Sequence, residues 1–210
     1  FMCKNPTEHK HFFWQKSQAS ATVEFAFIFP IIVLLGLMLI DFTFHFSTES
    51  KLARLSNSMS SMLRERSTLY AKNLVVDSED VENLQKAVDL LLGADPLKGT
   101  VSIKVQALHF SNTSTKTDKI LDATKSGDIY ASANINPVEQ KKCKGAFDIN
   151  SAEVSKMSPW IKETEDKGKW APLYQVTLCT KGRNSLFLTA LSSSGIISDT
   201  ISVSNVVIPR

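Results

Sequence analysis

The sequence predicts an α+β fold: a long N-terminal helix crosses a membrane and continues into a soluble head with a mostly antiparallel sheet. Three observations predict it. The run SATVEFAFIFPIIVLLGLMLI, from Ser20 to Ile40, holds a single charge, Glu24. Amphipathic helical patterns follow it. After Gly99 the apolar period changes from helical to two, the mark of half-buried strands. The implied organisation is a leader over 1–19, a membrane helix over 20–41, a helical extension over 42–70 and a head over 71–210.

The apolar run has about the length, roughly 20 residues, that crosses a hydrocarbon core of ~30 Å. Buried core helices of soluble proteins rarely run so long without a polar face. A cleaved secretory signal would need its small-residue site after the apolar core. Here Ala19-Ser20-Ala21 stands before it, and DFTFHFSTE beyond Ile40 offers no such site, so the helix stays. Lys4, Lys10 and Lys16 flank it on one side, against Glu8 alone; Asp41 and Glu49 precede Lys51 on the other. Retention of the positive flank in the cytoplasm puts the head outside. Pro30 removes a backbone hydrogen bond from this helix, a loss that membrane helices tolerate.

Glu24 is the anomaly in the run. At a helix centre an acid costs about 2.5–3.5 kcal/mol on insertion scales, and less near the boundary. Two readings stay open. It snorkels at the boundary, helped by the positive end of the helix, or it pairs with a cation on a neighbouring subunit.

The local words Ser20-Ala21-Thr22-Val23-Glu24-Phe25, after a short basic leader ending in small residues, resemble the N-terminus of type IV pilin-like proteins. The likeness is to the TadE/TadF minor pseudopilins of the tight-adherence (Flp-type) pilus. Met62-Leu63-Arg64-Glu65-Arg66-Ser67-Thr68-Leu69-Tyr70, and Trp160 with Trp170-Ala171-Pro172-Leu173-Tyr174 leading to Cys179, resemble TadF more than TadE. The resemblance implies a pilin-like fold and a cut by a prepilin peptidase between Ala19 and Ser20, making Glu24 the fifth mature residue. Gly is usual before that cut, and Ala19 departs from the pattern. It also implies partners: a TadE-like pseudopilin, the small major Flp pilin, the peptidase and an inner-membrane pilus platform. The function implied is that of a minor structural subunit in pilus assembly. The alternative is an uncleaved, membrane-tethered periplasmic binding or sensory domain in which Glu24 is incidental.

Beyond the membrane, Leu52, Leu55, Met59, Met62 and Leu69 form a helical stripe. It packs either on the chain's own head or along a partner's helix. A second helix is capped by Asp77 or Ser78, with Glu79, Asp80 and Glu82 at its positive end. Val81, Leu84, Val88 and Leu91 form its apolar face, and Gly93 and Pro96 end it. Without loop spacing or a turn Gly, those acids are first-turn helix residues and not a calcium site. Strands follow at Val101–Ala107, at Ile129–Ile135, at Tyr174–Leu178 and at Ile201–Val203, with polar loops over 111–119 and 163–169. Helix-then-strand order makes the class α+β.

Cys3 lies in the leader; Cys143 and Cys179 lie outside. In an oxidising compartment the outer two are expected to pair, closing a 36-residue loop (179 − 143) and stabilising by roughly 3–4 kcal/mol in the chain-entropy model. The alternative is two separate buried thiols. Cys179 falls on the strand face opposite Tyr174, Val176 and Leu178, which suits a bridge to an overlying loop.

The remaining chemistry is sparse. His9 and His11 belong to the leader, and His45 and His109 have no acid or Cys at ligand spacing, so neither a metal nor another cofactor is expected. No nucleophile elbow, P-loop or Cys/His pair points to an enzyme. Net charge is +3, with acids and bases mixed, so no face suits nucleic acid.

Overall fold

The computed structural model describes residues 8–65, 75–131, 143–149, 151–162, 168–182, 193 and 200–209. The chain divides into two compact units, Phe1–Phe44 and His45–Arg210. Helix α1 runs Glu8–Arg64, through Pro30. The continuation expected to Tyr70 lies outside the described residues.

In the second unit, α2 (Ser78–Leu92) starts from a capping box. The Asp80 amide donates to the Asp77 carboxylate at 2.9 Å, and the Asp77 amide donates to the Asp80 carboxylate at 3.1 Å. These bonds satisfy two of the donors a helix start leaves orphaned. Gly93 ends the helix at φ +56°, a conformation that costs glycine little.

Four antiparallel strands form the main sheet: β1 (Val101–Leu108), β2 (Gly127–Tyr130), β5 (Leu173–Lys181) and β6 (Thr200–Val207), in the order β2-β1-β5-β6. Between them lie α3 (Ala152–Lys156) and a hairpin of β3 (Trp160–Lys162) with β4 (Gly168–Trp170). The expected strand around Ile129 ends at Tyr130; its continuation through Ala133 and Ile135 lies outside the described residues. Lys169, read as loop, sits in β4.

One sheet face carries Val101, Ile103, Val105 and Ala107 from β1 beside Tyr174, Val176 and Leu178 from β5. It packs with Val81, Leu84, Val88 and Leu92 of α2 and with Leu52, Met59 and Leu63 of α1. The extension of α1 therefore lies on the chain's own head. Leu52 and Met59, and Val81, Leu84 and Val88, are buried as expected, but each face ends one residue later than read. Met62 is 42% exposed and Leu91 57%, while Leu63 and Leu92 are buried. The cause is phase. At 3.6 residues per turn, a step of 11 returns to within about 20° of the start, whereas a step of 10 misses by about 80°. Leu52 to Leu63 and Val81 to Leu92 are such steps of 11.

Among the described residues, strand β2 pairs with β1 from Lys104 to Ala107. Beyond it, the Gln85 side chain acts as a strand would. Its amide donates to the Val101 carbonyl at 2.8 Å, and its oxygen accepts from the Ile103 amide at 3.1 Å.

The opposite sheet face is also covered. Leu108 and Leu173 pack with Ile149 and Val154 into a smaller apolar cluster. Beside it, Ser102, Lys104, Gln106, Gln175 and Thr177 are buried. A strap over 143–149 lies on this row. A Cβ at Gly145 would run into the Gln175 and Gln106 side chains, and the Ala146 amide donates to Ser204 Oγ at 3.0 Å. A disulfide joins Cys143 to Cys179, their Cα atoms 5.7 Å apart.

Candidate assembly surface

Within the first unit, the apolar part of α1 has no core to serve. Phe25 is 63% exposed, Phe27 72% and Leu39 68%, and none of its most apolar stretch is buried. The exposed side chains point all round the helix, unlike the single stripe of a helix lying on a domain. Among the described residues, this is the one helix long and apolar enough to cross a membrane. Such a surface is stable only in lipid or among other apolar helices, because each large side chain covered gains about 1.5–3 kcal/mol over exposure to water.

Little else marks this stretch. Phe25 and Phe29, one turn apart, stack at 5.5 Å between centroids. Thr43 returns its hydroxyl to the Leu39 carbonyl at 2.8 Å, as a hydroxyl in an apolar helix should. Glu24 is exposed, just after Thr22 and Val23. Ala19 and Ser20 fall on the backbone of α1, four to five residues earlier. Glu24 and the Ala19–Ser20 bond thus share one short stretch of α1, whereas Cys143 and Cys179 belong to the head.

The polar row beneath the strap escaped sequence reasoning. Lys104 Nζ meets Asp128 Oδ2 at 2.7 Å, and Gln106 donates to Asp128 Oδ1 at 2.7 Å. Burial pulls the Lys104 ammonium down, but Asp128 and Tyr130 outweigh it and hold it above the usual lysine range. Burial pushes the Asp128 carboxyl up, yet bonds from Lys104 and Gln106 keep it below the usual carboxylate range. Alternating lysine and glutamine on a strand read as a solvent face, yet the strap at Gly145 lies against Gln106 and Gln175.

A second unforeseen cluster ties the loop over 111–121 to the β3–β4 hairpin. Lys119 Nζ lies 3.7 Å from the Trp170 ring centre and donates to the Ser155 and Ser158 carbonyls at 2.6 and 3.2 Å. Burial draws its ammonium down, and a cation over indole is the compensation. Trp160 packs edge-on to Trp170 at 5.2 Å, and Trp170 Nε1 donates to the Thr115 carbonyl at 3.0 Å. These contacts brace the loop against the hairpin. Among the described residues no group of His, Cys, Asp or Glu is placed to hold a metal.

Comparison with known proteins adds one finding. The family model described as "Putative tight adherence pilin protein F" (TadF) matches residues 12–210. No curated relative and no solved structure matches the chain.

Proposed function

This chain belongs to the TadF family, and from that premise we propose that it is a minor pilin-like subunit made as a prepilin and cut by a prepilin peptidase between Ala19 and Ser20. Family membership makes it a structural, pilin-like component of a Tad pilus, associated with the membrane and with other pilus parts. The finer reading places its N-terminus in the cytoplasm, α1 across the inner membrane and the head in the periplasm. Its partners are then a TadE-like pseudopilin, the major Flp pilin and the membrane platform.

The observation that carries this reading is the all-round exposed apolar stretch of α1 with Glu24 near its start. A surface of that kind can move from lipid into a bundle of like helices without a large change in apolar burial. In the bundle, the Glu24 carboxylate gains where it meets a cation such as a neighbour's α-amino group, because low polarity strengthens the pair. The Cys143–Cys179 bond suits an oxidising compartment, which agrees with export of the head.

Intact-mass analysis of protein taken from native membranes tests the processing step. The expected mass corresponds to a chain beginning at Ser20. A full leader in cells whose prepilin peptidase is active would contradict it. Ala19→Asp is expected to block the cut, since a charged side chain would replace a small one at the scissile bond.

A further inference from the structure

We propose that the strap over 143–149 is a redox latch: it closes on the sheet when Cys143 and Cys179 are joined as a disulfide and lifts when they are thiols. Its two ends are held in different ways. Ile149 is buried with Leu108, Leu173 and Val154, and Ser151 caps α3 just after it. At the other end, Cys143 is tied to β5 by its bond to Cys179. Between the ends, Lys144, Ala146, Phe147 and Asp148 are exposed, and Gly145 has no side chain to bury. The hydrophobic effect therefore does little to hold the middle of the strap down.

Polar contacts oppose closure. Gly145 packs directly against the Gln106 and Gln175 side chains. Gln106 Oε1 and both amide atoms of Gln175 are buried there without a hydrogen-bond partner among the described residues. Lifting the strap returns those atoms to water, which bonds them. The exposed bond from the Ala146 amide to Ser204 Oγ is small beside three buried polar atoms left unsatisfied. The disulfide is what keeps the strap closed. In the open form the two thiols give two electrons and two protons to a disulfide oxidant, which leaves as a dithiol while the Cys143–Cys179 bond forms. Once closed, Cys143 is 4% exposed and Cys179 2%, so an attacking thiolate has little access to either sulfur. The latch closes on oxidation and reopens slowly.

The test uses the full chain in detergent micelles, with Cys3→Ser so that the two cysteines of the head pair only with each other. Hydrogen–deuterium exchange, read by mass spectrometry, compares the oxidised chain with Cys143→Ala/Cys179→Ala. Peptides over 144–149 should exchange about tenfold faster in the double variant, while β1 and β5 keep their protection. Equal exchange over 144–149 in the two chains overturns the latch, because the strap would then close without the bond. Loss of protection over β5 as well also overturns it, because the bond would then hold the whole head and not the strap alone. Adding Gln175→Leu to the double variant removes two of the unsatisfied atoms and should slow strap exchange several-fold. No slowing would overturn the part given to the buried amides in opening the strap.

Discussion

Two stretches of one helix, residues 22–44 and 52–63 of α1, meet opposite fates. The first displays phenylalanine, isoleucine and leucine on every side, and none of its most apolar stretch is buried. The second buries Leu52, Met59 and Leu63 in the head together with Ser56 and Ser60, and turns Arg54, Asn57, Ser58 and Ser61 outward. The difference lies in pattern rather than in apolar content. A stripe can be satisfied inside one domain, whereas an all-round apolar surface demands a surrounding medium or other helices. The second stretch serves the folding of the head, and the first has the length and all-round apolar surface that suit a membrane-spanning helix.

That division can be broken by mutation, and the largest effect is expected in the head. Replacing both Cys143 and Cys179 by Ser should cost the head about 3–4 kcal/mol, from a 36-residue loop set free in the unfolded chain. Chemical denaturation measures it, and membrane insertion should not change. Next, Leu52→Ala should cost about 3 kcal/mol, within the usual range for a buried leucine, while Leu34→Ala should leave the head's unfolding midpoint where it was. Equal losses at the two sites would erase the contrast between the stretches.

A smaller effect concerns pH. The folded-state value of Asp128 is lowered and that of Lys104 raised. The carboxylate's contribution is present above its unfolded value near 3.8 and is lost as pH falls through the lower folded value. The ammonium's contribution is present below about 10.5 and is lost as pH rises through the higher folded one. The stability gap between wild type and Asp128→Asn should therefore hold near neutrality and shrink below pH ~4. A gap that widens in acid would contradict the pairing. The smallest effect belongs to Met62, and it reports the phase of the helix. Met62→Lys should stay within about 0.5 kcal/mol, as exposed substitutions do, whereas Leu63→Lys should destabilise the head strongly.

These contrasts also show what the sequence could tell. Strands β1, β5 and β6 were legible because apolar residues alternate there, and α2 because Asp77 and Gly93 mark its ends. The helical faces were misassigned by one residue, at Met62 and Leu91, where neighbouring leucines made two phases look alike. The hairpin of β3 and β4 was not legible, since three residues carry no period. Burial of Lys104, Gln106 and Gln175 was hidden for another reason. Gln106 and Gln175 meet a strap some 40 residues from β1 in the chain, held by a disulfide, and Lys104 meets Asp128 of the neighbouring strand, which no local pattern reports. The Gln85 clamp on β1 is likewise a single tertiary contact. The apolar stretch of α1 was plain for the opposite reason: an unbroken apolar run with one acid is a purely local signal.

Glu24→Leu is the most direct test of the central claim, that this part of α1 is an assembly surface with Glu24 as its polar contact. The substitution should ease membrane insertion by up to about 2–3 kcal/mol, less at a boundary position, and leave the head's stability unchanged. Crosslinking to the TadE-like partner and pilus counts, compared with wild type at matched membrane levels, give the answer. Loss of partner recovery and of pili, with a normally folded head, is the predicted result. Unchanged recovery and unchanged piliation would contradict the account and reduce Glu24 to a boundary residue of a simple membrane anchor.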